Sequence, residues 1–165
     1  MIEHIFIRSV RGEPQTERDR VEVVTGAGIR GDRYFDAHKE PGQNITFVEA
    51  EAIEAFATHN GLSVHASATG RNIVTRGVRL NELVGRMFTV GELTFRGVEL
   101  CEPCGSLGKK LTTSTLSPAD VVRQWVHRAG LRADALTTGT LEVGALFHVL
   151  PEIHAEALTE SPTDG

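Results

Sequence analysis

The chain has 165 residues, 40% of them hydrophobic and 24% charged, with a formal net charge of −5. This is the size and balance of one well-buried domain; no apolar run approaches the roughly 20 residues of a membrane span, and an acidic surplus argues against a general nucleic-acid binder. Two cysteines are too few for a disulfide framework, and residues 1–7 lack the basic and long apolar regions of a signal peptide, so a cytoplasmic location is expected.

In chain order, residues 2–10 are apolar and β-branched with partial alternation, which predicts an opening strand. Residues 12–19, with Pro14, read as a turn or short loop, and residues 21–24 as a second strand. Residues 25–34 hold Gly26, Gly28 and Gly31 and suit no regular element; such spacing permits positive φ and close backbone approach. No Gly-Lys-Ser/Thr follows, so this is not a phosphate loop of the nucleotide-binding kind. Residues 38–44 read as another loop, and residues 45–47 could form a strand before the helix. Thr46 and Glu49 form a capping-box pattern before a helix over residues 49–59. Val48, Ala52, Ile53, Phe56 and Ala57 would share its apolar face, and Asn60-Gly61 would stop it.

From residue 62 to 100, short apolar runs alternate with turn signals at Arg76-Gly77, Gly85, Gly91-Glu92 and Arg96-Gly97. That spacing predicts a compact antiparallel barrel rather than βαβ units. Residues 106–117 are polar and read as a mobile loop. Ser117-Pro118-Ala119-Asp120 opens a second helix, with Val121, Val122, Trp125, Val126 and Ala129 on its apolar face and Gly130 at its end. Residues 131–135 and 140–149 read as final strands. The fold class is mainly β with a few helices, one β-barrel domain over residues 1–150 and a polar, flexible tail over 151–165.

Chemistry concentrates at Cys101-Glu102-Pro103-Cys104. Zinc would need two further ligands, and there is no second cysteine pair, while the seven histidines are scattered along the chain. A thioredoxin-type dithiol would need a βαβ context that is absent upstream. Cys101 continues a strand and reads as packing. Cys104 follows a proline, opens a glycine loop, and could attack an electrophile, carry a persulfide or bind a soft metal. Cations would favour its thiolate, and Arg33, Arg71 and Arg132 each stand at a glycine-marked turn. Asp32 could orient Arg33 or cap a turn, the turn being the simpler role. His38 and His127 read as surface residues.

Taken in order, several stretches resemble the MOSC domain, named after the C-terminal part of molybdenum-cofactor sulfurases. They are residues 28–34 (Gly-Ile-Arg-Gly-Asp-Arg-Tyr), 44–49, 70–85, 88–91, 101–104 and 127–133, followed by Gly139 and Gly144. The resemblance runs to about Leu150 and implies a β-barrel with peripheral helices. It implies that Cys104 is the reactive cysteine, carrying sulfur or ligating the molybdenum of a pterin cofactor. Gly31, Asp32, Arg33, Arg71, Asn72 and Arg132 match motif positions and would surround the cofactor, molybdopterin, in one pocket. The implied activity is sulfur transfer or reduction of N-hydroxylated substrates; the alternative is a non-enzymatic module that binds a pterin or another anionic small molecule. The larger relatives carry a desulfurase domain with pyridoxal phosphate, or an electron-transfer module. This sequence shows neither, so a sulfur donor or electron-transfer protein is the expected partner, and pyridoxal phosphate belongs on that partner if anywhere.

Overall fold

The computed structural model describes residues 1–36 and 40–152. His38 and the expected tail beyond residue 152 lie outside the described residues. The first strands are β1 (Ile2–Ile7), β2 (Thr16–Arg18), β3 (Arg20–Val24), β4 (Gly28–Ile29) and β5 (Ile45–Glu49). Helix α1 (Ala50–Asn60) follows, then β6 (Ile73–Thr75), β7 (Met87–Val90), β8 (Leu93–Leu100), helices α2 (Gly105–Leu111) and α3 (Pro118–Trp125), and β9 (Leu131–Ala135), β10 (Gly139–Glu142) and β11 (Phe147–Val149). Eight strands form one curled sheet in the order β11-β7-β8-β9-β5-β6-β1-β2, and β10-β3-β4 form a second, smaller one. The curl closes where the Ile2 N–H donates to the Ala145 carbonyl (2.9 Å) and the Gly144 N–H donates to the Ile2 carbonyl (2.8 Å).

Alternation along the strands sorts side chains into two layers. On β5, Ile45 and Phe47 face the barrel interior while Val48 faces out to the helices. Inside, the Phe47 ring packs edge-on to Phe88, Phe95 and Phe147 at 5.8, 5.6 and 6.0 Å between centroids. Outside, α1, α2 and α3 cover Phe6, Val48, Val74 and Cys101 with Phe56, Leu107, Leu111, Val121 and Trp125. Gly130 is required at the seam between β9 and β5: its φ is +109°, and a Cβ there would fall 2.0 Å from the Phe47 carbonyl oxygen.

Helix α3 begins as its sequence demands. The Ser117 hydroxyl accepts from the Asp120 N–H, Asp120 answers the Ser117 N–H, and Pro118 occupies the first turn. Such a cap contributes about 1 kcal/mol. The helix stops at Trp125, a turn earlier than the apolar pattern suggests, so Val126 is 42% exposed instead of packed.

Other expectations are corrected. Thr46 does not cap α1; it lies within β5, and Glu49, the true N-cap residue, uses its carboxylate to accept the Leu80 N–H at 2.8 Å. The Gly61 stop is present, in left-handed conformation. β5 and β6 pair in parallel across α1, so one βαβ crossover sits inside an otherwise antiparallel sheet. Arg96-Gly97 is no turn: β8 continues through it, with a shift of register against β9 between Gly97 and Glu99, and Gly97 is needed because a Cβ would meet the Leu83 carbonyl oxygen at 2.0 Å. Residues 16–18 of the expected loop form β2, the opening strand ends at Ile7, and residues 140–149 break at Gly144 (φ +89°) into β10 and β11. Residues 106–117, read as a mobile loop, contain most of α2.

Candidate functional site

A cavity of about 870 Å3 opens where the ends of β1 and β4, the start of β6 and the N-terminus of α2 meet. Its size lies in the range of small-molecule and cofactor pockets. Asp32, Arg33, Arg71, Asn72, Cys104 and Arg132 all line it.

Two of these residues are occupied in building the walls. Asp32, 7% exposed, accepts from the Arg8 N–H (2.9 Å) and the Tyr34 N–H (3.1 Å), so it pins the turn after β4 to the end of β1. Asn72, 6% exposed, donates to the Phe6 carbonyl (3.2 Å) and to Asp32 (3.4 Å). Its side-chain oxygen accepts from the Thr46 N–H (3.2 Å) and the Thr46 hydroxyl (3.0 Å). All four hydrogen-bonding positions of that amide are engaged. Gly31 stands behind the wall rather than on it; its φ of +87° supplies the left-handed turn that brings Asp32 inward.

The cations remain available to a ligand to different degrees. The Arg71 Nε–H donates to the Ala129 carbonyl (2.8 Å), which fixes its side chain against the turn after α3. The Arg33 guanidinium lies over the Tyr34 ring, 4.1 Å from its centroid, and donates to the Tyr34 hydroxyl. Arg132, on β9, is 41% exposed and 3.8 Å from Glu99.

Three more cations line the cavity, and the sequence reading passed over them: Arg8, Arg11 and Lys110. Six cationic side chains thus face two carboxylates, Glu13 and the already engaged Asp32. Burial, then the charges of Arg8, Arg71 and Arg33, push the Lys110 amine below the usual lysine range. The Nε–H of Arg8 is buried without a hydrogen-bond partner among the described residues, as is the Gln15 side-chain oxygen. Arg8 carried one sequence signal: a cation directly after an apolar strand. For Lys110 the signal was Leu107 and Leu111 at helical spacing, with Ser106 and Lys110 on an adjoining stripe.

The two cysteines differ sharply. Cys101 is 2% exposed within the outer apolar layer, and burial pushes its thiol up against the pull of Arg71 and Arg132. Cys104 is exposed at the N-cap position of α2. No side-chain hydrogen bond of standard geometry caps the helix, yet the backbone N–H groups of Leu107 and Ser106, with Arg71, draw the thiol below the usual cysteine range. Proximity of N–H dipoles is enough for that. The site therefore offers a soft, exposed sulfur whose thiolate is favoured, beside a concentration of positive charge. His127 does not line it; that residue is exposed, with φ +59°, and its carbonyl accepts from the Asn81 side chain. Among the described residues no three His, Cys, Asp or Glu side chains converge as metal ligands, and no helix is long and apolar enough to cross a membrane.

The family model of the MOSC domain matches residues 35–147. Among solved structures, the YuaD protein from Bacillus subtilis superposes with a TM-score of 0.78 at 18% identity, over 88% of this chain and 92% of that one. YiiM from Geobacillus stearothermophilus gives 0.69 at 16% identity, over 92% and 76%. YiiM from Escherichia coli gives 0.66 at 16%, over 92% and 70%. No curated protein matches the sequence. At these identities the likeness is one of fold.

Proposed function

Because the chain belongs to the MOSC domain family, we propose that its cation-lined cavity binds the molybdenum cofactor, molybdopterin, and that the Cys104 thiolate ligates the metal or carries sulfur. One observation carries this reading: a thiol drawn toward its thiolate opens onto a cavity where six cations face two carboxylates. The donor set fits the group. A buried Arg8 N–H lacks an acceptor, which a phosphate oxygen would supply, and a thiolate suits a soft metal centre.

The residues divide the task. Arg33, Arg71 and Arg132, joined by Arg8 and Lys110, balance the anionic cofactor; planar guanidiniums suit phosphate oxygens in pairs. Gly31, Asp32 and Asn72 hold the walls that aim them. The backbone N–H groups at the start of α2 favour the thiolate of Cys104, the form able to bind. The bound cofactor would supply redox chemistry toward N-hydroxylated substrates. A sulfur donor or electron-transfer protein would act with the domain in the cytoplasm.

The test is elemental analysis of protein made in hosts with and without an intact cofactor pathway. Molybdenum near one equivalent, only in the competent host and lost in Cys104→Ser, is the expected result. Absence of the metal and of any bound pterin from the competent host sinks the proposal. A second reading, a non-enzymatic module that presents an anionic pterin, draws on the same excess of cations. It requires binding that survives Cys104→Ala and is lost in Arg71→Ala.

A further inference from the structure

A separate cavity of about 400 Å3 lies between α1 and the C-terminal end of α3, and it shares no lining residue with the first. Its floor is the Phe56–Trp125 pair, with ring centroids 5.4 Å apart, and Ala52 and Ala55 leave the gap open on the α1 side. Its ionisable lining is all of one kind: His59, Arg123 and Arg128, with no carboxylate. Arg123 is spent on Asp120 at 2.8 Å, while Arg128 makes no ion pair among the described residues. Trp125 is 1% exposed, and its indole N–H is buried with no acceptor among the described residues. A buried donor without an acceptor is uncommon in a finished interior. The neighbouring Asn60 and Gln124 side chains bond each other instead, at 2.8 and 3.3 Å.

We propose that this cavity is a second ligand site, for a small carboxylate with an aromatic or branched apolar body. The apolar part would cover Ala55 and the Phe56–Trp125 pair. The carboxylate would meet Arg128 and His59. The volume lies within the small-ligand range. This second site shares no residue with the first cavity and is independent of what that cavity binds.

Trp125 is the single tryptophan of the chain, so its fluorescence reports on this site. Titration with 4-phenylbutyrate is expected to give a saturable change, and the neutral analogue 4-phenylbutan-1-ol a weaker one. Arg128→Ala should weaken phenylbutyrate binding about tenfold or more. Ala55→Phe, at an exposed position, should fill the gap and abolish binding while the thermal midpoint and Cys104 alkylation stay unchanged. Absence of a saturable change in the unmodified protein overturns the site, and so does an identical titration in Ala55→Phe and Arg128→Ala.

Discussion

The barrel interior and the helical layer outside it are built from opposite materials. Inside, phenylalanine rings and β-branched chains sit at or near zero exposure, with strand pairing on both sides. Outside, three helices of 11, 7 and 8 residues cover a smaller apolar cluster, and one of them bears Cys104 at its first turn. The first cavity lies on the seam. Its arginines come mainly from loops and strand ends anchored to the barrel, while its sulfur and Lys110 come from the helical layer. Most of the charge is thus placed by the barrel, and the exposed thiol by the slighter helical layer.

The strongest way to break that comparison is Phe47→Ala. Phe47 has zero exposure and touches three other rings, so its truncation should cost about 3–5 kcal/mol in denaturant unfolding. A loss under about 1 kcal/mol would mean the barrel is not the rigid partner. Next is the wall: Asn72→Ala strands the Phe6 carbonyl and Thr46, and should cost roughly 2–3 kcal/mol, read in the same assay. A neutral result would show that water replaces the amide without strain.

Smaller effects probe the sulfur. Because its N–H neighbours favour the thiolate, Cys104 should react with iodoacetamide with a pH midpoint below the ordinary cysteine value, its rate rising as pH climbs through that midpoint. Cys101, buried and shifted the other way, should stay unmodified in the folded protein. Leu107→Ala, which loosens the turn bearing those N–H groups, should move the Cys104 midpoint up. Arg71→Ala should move it up by less, since the backbone contribution is the larger. If both variants leave the midpoint in place, the helical layer does not set the reactivity.

Much of the barrel was readable because its strands are short apolar runs between glycines, and α3 because serine, proline and aspartate mark its start. Arg33, Arg71 and Arg132 were marked as candidate cations by the glycines near them, and only the ordered motifs implied that they share one pocket. Helix α2 was hidden: seven residues with Gly105 and Gly108 have poor intrinsic propensity, and packing of Leu107 and Leu111 holds them. Gly108 misled twice over, since it admits α3; a Cβ there would meet the Pro118 carbonyl oxygen at 2.8 Å. Missing α2 meant missing Lys110 and the backbone groups that act on Cys104. Thr46 misled in another way: its hydroxyl serves Asn72, a partner 26 residues away, rather than a helix beginning three residues on.

Cys104 occupies a place where serine, aspartate or asparagine would cap a helix better. A thiol there trades thermal endurance for a usable sulfur, the kind of bargain found where activity and stability compete. Cys104→Ser should therefore leave a protein more resistant to heat, by about 0.5–1 kcal/mol, while removing its alkylation by iodoacetamide.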